Sequence, residues 1–310
     1  MGRAIGVDVG GTKVAVAAVD GTGAVRAAVA FPTESSRGFR DGLARIAAAV
    51  ETVASRAGWA FPDLDGIGIG AAGPVDPVRG TFHNPYTLPG WEDADPVTPL
   101  RERFGVPVRL ENDADAAALG EAVFGAGRGA SPLVLLTFGT GIGGGAIVEG
   151  RIYRGAGGEH PEMGHLPALP DGPECYCGAR GCFESLASGT AIEAAGREAG
   201  LPGSREVFRA AERGGYPAEL GAAARRIIDR ALDAAASAAW AILHTYLPER
   251  LVLGGGLMED RYDLFAAAIR GRIARAALFH PGRTAVVRAE LGVSAGAVGA
   301  ACLVLPPGRG

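Results

Sequence analysis

Residues 4–31 read AIGVDVGGTKVAVAAVDGTGAVRAAVAF, and residues 133–150 read LVLLTFGTGIGGGAIVEG. The first stretch is rich in Val and broken at Gly10-Gly11 and at Asp20-Gly21. That pattern predicts three short strands, because Asp-Gly between apolar runs marks a hairpin turn. Aligning Gly10 with Gly139 drops Asp20-Gly21 onto Glu149-Gly150, with the same eleven-residue spacing from the first glycine to the turn glycine in both. Two strand–glycine-loop–strand–turn units, each heading one half of the chain, indicate an internal duplication. The plainer alternative is two unrelated Gly-rich hairpins.

The segments between them fit an alternation of strands and helices. Leu43, Ile46, Ala47, Val50, Val53 and Ala54 have helical spacing within 39–57. Residues 65–71 and 106–110 read as strands, 113–124 as an Ala-rich helix, and 73–99 as a long Pro-rich loop holding His83, Asn84 and Trp91. In the second half, 218–246 and 262–277 read as helices, 250–253 and 284–287 as strands, and 295–305 as a closing apolar helix. This alternation predicts α/β lobes with a cleft between them. His83 and Trp91 are candidate pocket-lining residues, and Cys302 and Trp240 read as packing.

The chain has 310 residues, 48% hydrophobic and 21% charged, which excludes a mainly disordered protein. Its net charge of −4 and the lack of a basic stripe argue against nucleic-acid or membrane partners. No secretory signal and no apolar run of about 18 residues is apparent, so a cytoplasmic protein is expected. Of the 30 basic residues only Lys13 is a lysine.

Asp8-Val9-Gly10-Gly11-Thr12-Lys13 puts a carboxylate at a strand end and two glycines in the following turn. Glycines let backbone N–H groups approach phosphate oxygens, and Thr12 and Lys13 add donors. Gly139-Thr140-Gly141-Ile142-Gly143-Gly144-Gly145 is a second such loop. It matches G-x-G-x-x-G, yet a strand follows where a dinucleotide site needs a helix, so that reading fails. A nucleotide gripped between two lobes fits both loops better. Gly254-Gly255-Gly256 is either a flat backbone surface for base and ribose or a simple strand-to-helix turn. His165, Cys175, Cys177 and Cys182 give H-x9-C-x-C-x4-C. Three thiolates and an imidazole suit tetrahedral zinc, and four protein ligands make the site structural.

Together, the Asp8 loop, Glu111-Asn112-Asp113-Ala114, the 136–145 loop, Glu162-Met163-Gly164-His165 and the Cys175–Glu184 segment resemble the ROK family of sugar kinases and sugar-responsive repressors. The resemblance implies an α/β fold of two actin-like ATPase (ribonuclease-H-like) lobes with an intervening cleft. It implies a small lobe over 1–112 plus 294–310 and a large lobe over 113–293 carrying the zinc loop. It implies transfer of the γ-phosphoryl of ATP to a hexose hydroxyl, with Asp113 as the catalytic base. Asn112, Glu162, His165 and Glu184 would bind sugar, joined by Asn84, and Asp8 would help hold Mg²⁺. The glycine loops would hold phosphates, and His165 would both ligate zinc and lie beside the sugar. Glucose is the leading acceptor, but His160-Pro161-Glu162-Met163-Gly164-His165 is worded like fructokinase-type members, and N-acetylmannosamine is a further alternative. A catalytically silent sensor would be expected to lack Asp113, and a regulator would carry a DNA-binding domain before the first strand. A homo-oligomer, dimer or tetramer, is expected by resemblance.

Overall fold

A computed structural model describes residues 2–212, 215–278, 280 and 282–306. Met1 and residues 307–310, the outer ends of the lobe expected over 1–112 and 294–310, lie outside the described residues. The elements run β1 (Arg3–Val9), β2 (Lys13–Asp20), β3 (Val25–Pro32), α1 (Phe39–Ala57), β4 (Gly66–Ala71), β5 (Val75–Asp76), β6 (Thr81–Phe82), α2 (Val97–Phe104), β7 (Val108–Asn112) and α3 (Asp113–Phe124). They continue as β8 (Leu133–Phe138), β9 (Ile142–Val148), β10 (Arg151–Ile152), α4 (Glu184–Ala187), α5 (Gly189–Glu198), α6 (Ser204–Glu212) and α7 (Ala218–Tyr246). The last elements are β11 (Arg250–Gly254), α8 (Gly256–Ile273), β12 (Ala285–Arg288) and α9 (Ala295–Cys302).

Two five-stranded sheets have the orders β3-β2-β1-β4-β7 and β10-β9-β8-β11-β12. Numbered within each set, both orders are third, second, first, fourth, fifth. In the first sheet β1 to β3 pair antiparallel, whereas β1, β4 and β7 run parallel. In the second, β9 and β10 pair antiparallel, and β8, β11 and β12 run parallel. The duplication read from two glycine loops is thus a duplication of whole sheets.

The described residues form two compact units. One takes the chain up to Ala130, then Gly145–Pro161, then the residues from Glu290 onward; the other takes Ser131–Gly144 and Glu162–Ala289. The chain passes from one to the other within β9.

The first unit is built on period-two alternation. Along β1, Ile5, Val7 and Val9 join the core under α1, and along β4, Ile67 and Ile69 do the same. The intervening residues point to the opposite face, where α9 lies, and there the sequence supplies glycine. A Cβ on Gly6 would sit 1.7 Å from the Ala297 carbonyl oxygen, and one on Gly68 would sit 1.7 Å from that of Ala300. The G-I-G-I-G run of β4 is therefore a strand with an aliphatic face for α1 and a bare face for a helix backbone. Against α1 itself, Phe82 and Trp91 close the core, with ring centroids 5.6 Å apart. Trp91 is 1% exposed, so it fills the core and does not line a pocket.

The long Pro-rich loop contains more structure than its composition suggests: β5, β6 and the start of α2 fall inside it. The helix expected over 262–277 begins six residues earlier, at Gly256, directly from the glycine run.

The β2–β3 turn is held by Asp20. Its Oδ1 accepts from Thr22 N at 2.8 Å, Thr22 Oγ1 at 2.6 Å and Ala24 N at 3.2 Å, and its Oδ2 from Arg26 Nε at 2.6 Å. Burial pushes this carboxyl up, but the hydrogen bonds from Thr22, Arg26 and Ala24 outweigh it and hold it at about 2.

Two consequences are measurable by urea unfolding. Gly68→Ala should cost about 3 kcal/mol or more, the upper end of overpacking penalties, because a backbone and not a side chain must give way. Asp20→Asn should cost roughly 1–2 kcal/mol at pH 7. A depressed carboxyl stabilises the fold above its ordinary value near 3.8 and loses that contribution as pH falls toward about 2. The gap between variant and wild type should therefore narrow between those values.

Candidate active site

In the first unit, Val9 pairs with Ala71 and Ala71 with Asn112. The C-terminal ends of β1, β4 and β7 thus lie side by side, the edge at which an open parallel sheet presents groups to a ligand. Asn112 ends β7 and caps α3: its Oδ1 accepts from Ala114 N at 2.9 Å and Asp115 N at 3.2 Å. The cap is therefore Asn112, and Asp113 is the first helical residue, half-buried, with its Oδ1 accepting from Ala114 N at 2.8 Å.

Asp8 stands one residue before the end of β1 and faces the start of α9. A Cβ on Gly296 would come within 2.4 Å of its carboxylate. Burial pushes the Asp8 carboxyl up to about 6; the negative charge of Asp113 adds to the rise and Lys13 opposes it. The Gly10-Gly11 turn follows, closed by Gly10 N donating to Lys13 O at 3.0 Å and by Thr33 Oγ1 donating to Gly10 O at 2.6 Å. Thr12 and Lys13 are exposed.

Asn84 is 1% exposed. Its amide donates to Ala72 O and Thr87 Oγ1 and accepts from Tyr86 N and Thr87 N, so all its hydrogen bonds go to its own loop and the end of β4. That loop packs on the glycine turn, since a Cβ on Gly11 would meet Thr87 at 3.0 Å.

In the second unit, Phe138 ends β8, immediately before Gly139. Its ring packs edge-on against Phe183 at 5.5 Å and Phe265 at 5.2 Å. Phe183 stands between Cys182 and Glu184, so one aromatic contact fixes the glycine loop and the Cys/His loop to the same core. The Glu184 Oε2 accepts from Ile142 N at 2.7 Å. Gly141 must be bare there, because a Cβ would sit 2.4 Å from that carboxylate oxygen. Glu162 precedes the short turn Met163–His165. Tyr176 hydrogen-bonds Glu184, and its ring stands edge-on to His165 at 5.0 Å. Burial, then the charge of Glu184, raises its phenol well above the usual value.

The ligand atoms of His165, Cys175, Cys177 and Cys182 all lie within 4.8 Å of one another. His165 Nδ1 is 3.4 Å from Cys175 Sγ, and Cys177 Sγ is 3.5 Å from Cys182 Sγ. Ligand separations of about 3.3–3.8 Å are those of a tetrahedron with metal–ligand bonds of about 2.0–2.3 Å. Gly178 and Gly181, at φ 92° and 69°, turn the chain around the cluster.

A pocket of about 370 Å³ in the second unit is lined by Gly139, Thr140 and Gly256 together with Arg205, Phe208 and Arg261. The first three were singled out in the sequence; the last three were not. Arg261 lies over the Phe208 ring at 4.5 Å, and no spacing motif announces such a contact. Gly255, at φ 90°, caps α8 without a side chain, and its missing Cβ would strike the Phe138 backbone. The Gly254–Gly256 run is therefore a strand-to-helix turn that also delivers backbone to the pocket. Gly143 lies within β9.

Sequence reading also missed Arg154. In the first unit it pairs with Glu111 and, at 2.7 Å, with Asp115, beside a largely buried His160.

A duplicated sheet with acids at one strand edge and bare glycine loops in its counterpart defines the actin-like ATPase fold. The ROK family model matches residues 4–306, and the chain belongs to that family. A glucokinase of Thermotoga maritima is 35% identical over 97% of both chains. Among solved structures, a ROK hexokinase from Thermus thermophilus aligns with TM-score 0.84 at 35% identity over 97% of each chain. A ROK glucokinase from Streptomyces griseus in complex with glucose and AMPPNP aligns with TM-score 0.78 at 31% identity, over 98% of this chain and 99% of that one. Among the described residues, no helix is long and apolar enough to cross a membrane.

Proposed function

We infer that the chain is an ATP-dependent sugar kinase that phosphorylates glucose at its 6-hydroxyl. The observation that carries this reading is the Asn112-Asp113 junction, where Asn112 takes the cap and leaves the Asp113 carboxylate at the strand edge. It is supported by near-full-length relatives named as glucokinases.

In this reading Asp113 accepts the proton of the attacking hydroxyl as its oxygen bonds to the γ-phosphorus. Asp113 stands in the first turn of α3, where the helix dipole favours negative charge. Asn112, Glu162, His165 and Glu184 hold the sugar hydroxyls, and Asn84 shapes the adjoining loop. The backbone of Gly10, Gly11, Gly139, Gly141 and Gly143 approaches the phosphates, with Thr12, Lys13 and Thr140 as added donors. The base and ribose lie against Gly254, Gly255 and Gly256, next to Arg205, Phe208 and Arg261.

Two metals accompany this chemistry. Asp8 fits Mg²⁺, because a buried carboxyl already raised by the charge of Asp113 is eased by a cation; Mg²⁺ there would neutralise charge on the transferring phosphoryl. His165, Cys175, Cys177 and Cys182 fit zinc in donor type and spacing, and a closed four-ligand site adds folding energy and shapes the sugar pocket through His165. A cytoplasmic homo-oligomer, without nucleic-acid or membrane partners, completes the proposal.

ADP release with Mg·ATP and glucose, fructose, mannose or N-acetylmannosamine tests the sugar; glucose should give the highest kcat/KM. Fructose in first place would favour the alternative that the His-Pro-Glu wording suggests. Asp113→Asn should fold and bind glucose normally while turnover drops by roughly 10²–10⁴. More than about a tenth of wild-type turnover, well above that range, would remove Asp113 from the base role. Metal analysis should find about one zinc per chain, and Cys177→Ser should lower metal content and melting temperature together.

A further inference from the structure

The catalytic reading leaves unexplained why a charged cluster is buried beside its proposed base. Glu111 is the last-but-one residue of β7, Asp115 is the third residue of α3, and between them stand Asn112 and Asp113. The Arg154 side chain, from just beyond β10, forms ion pairs with both acids, at 2.7 Å to Asp115 Oδ2. The other oxygen of Glu111 accepts from Asn112 N at 2.7 Å. The Asp115 side chain is fully buried and that of Glu111 is 8% exposed. Asp115 Oδ1 has no hydrogen-bond partner among the described residues.

Buried charges are a poor way to gain stability, because desolvation offsets most of their attraction and well-packed apolar groups do as well. What this triad does supply is geometry. A planar guanidinium can bind two carboxylates at fixed directions. Here the two carboxylates belong to the strand and the helix whose junction is Asn112-Asp113. Burial pushes Asp115 up to about 6 against the pull of Arg154 and His160, so the arginine is also what keeps it charged.

We propose that Arg154 is a positioning residue for catalysis: by gripping Glu111 and Asp115 it sets the angle between β7 and α3, and so aims Asn112 and Asp113. This rests on Asp113 being the base. The nucleotide loops, Gly139–Gly141 and Gly254–Gly256, belong to the other compact unit and take no part in the clamp. Loss of the clamp should therefore fall on kcat and on KM for glucose, and spare KM for ATP.

The test compares Arg154→Met, Arg154→Lys and the neutral triple variant E111Q/D115N/R154M, each assayed per folded enzyme well below its melting temperature. Arg154→Met should lose about 10²-fold in kcat, the cost of a misplacement near 1 Å, with KM for ATP within about twofold. Arg154→Lys keeps the charge but not the fork, so it should recover melting temperature and remain about tenfold or more below wild type in kcat. The triple variant removes the uncompensated charge; it should fold even where Arg154→Met does not, and its kcat should stay low. Wild-type kcat, within about threefold, in Arg154→Lys or in the triple variant would overturn the proposal, leaving the triad a packing device. Asp113→Asn separates the two failures. If it is inactive while the Arg154 variants work, only the clamp is wrong; if it is active, the base assignment falls and the clamp with it.

Discussion

The backbone of α9 rests directly on β1 and β4 because Gly6 and Gly68 have no side chains to hold it off. Their missing Cβ positions lie 1.7 Å from carbonyl oxygens of Ala297 and Ala300, closer than any side chain permits. On its other side α9 meets α3 in the same manner, where a Cβ on Gly299 would lie 2.1 Å from the Ala116 carbonyl oxygen. A helix of small residues thus lies at backbone distance from both a sheet and a neighbouring helix, and backbone cannot change rotamer. The same sheet seats α3 directly, since a Cβ on Gly70 would lie 3.2 Å from the Ala116 Cβ. These contacts shape the strand edge: α3 starts beside α9, and Gly296 lies against Asp8. The helix carries almost no amphipathic signal of its own; its partners supply the shape.

The second unit solves the same problem with large residues. Phe138, Phe183 and Phe265 form one edge-on aromatic chain, and two of them adjoin functional loops in sequence. A ring at 0% exposure cannot move without opening a cavity, so Gly139 and Glu184 inherit its rigidity. The Cys/His cluster then closes the far end of the same loop. In the proposed reading, sugar and phosphate groups are held by loops that are irregular in conformation yet anchored in the core at their first residue.

Much of this was legible. Asp20-Gly21 announced a hairpin because Asp20 can bond its own turn, and α1 announced itself through spacing over its whole length. The glycine loops and the Cys/His spacing marked chemistry because they occur as local patterns. Trp91 leaves a pocket-lining reading open in the sequence, because a tryptophan in a Pro-rich loop gives no sign of Phe39 and Phe82, which surround it. The start of α8 was hidden by the poor helix propensity of glycine, which tertiary packing against Phe138 overrides. Asn112 and Asp113 could not be told apart as caps, since both residue types cap helices well. Arg154 was out of reach altogether: its partners are about 40 residues away in the chain, and ion pairs across such distances leave no period or motif.

The duplication explains why the two copies do different work. On the alignment of Gly10 with Gly139, Asp8 corresponds to Thr137 and Val9 to Phe138. The fifth strand of the first sheet ends in Asn112 and opens into Asp113, whereas that of the second ends in Arg288 and is followed by Ala289. One copy therefore places carboxylates at the ends of its parallel strands, and the other leaves its strand ends to glycine and to the N-terminus of α8, which has no side-chain cap. Carboxylates suit cations and hydroxyl protons; bare N–H groups at a helix start suit phosphate. A kinase needs both, and where the Asp8 carboxylate adjoins the Gly10-Gly11 turn a cation is what would relieve its repulsion of the donor. Duplicating one sheet supplies two edges of the same geometry. Divergence at a few strand ends then adds acids to one edge and leaves the other to backbone alone, without altering the order of a single strand.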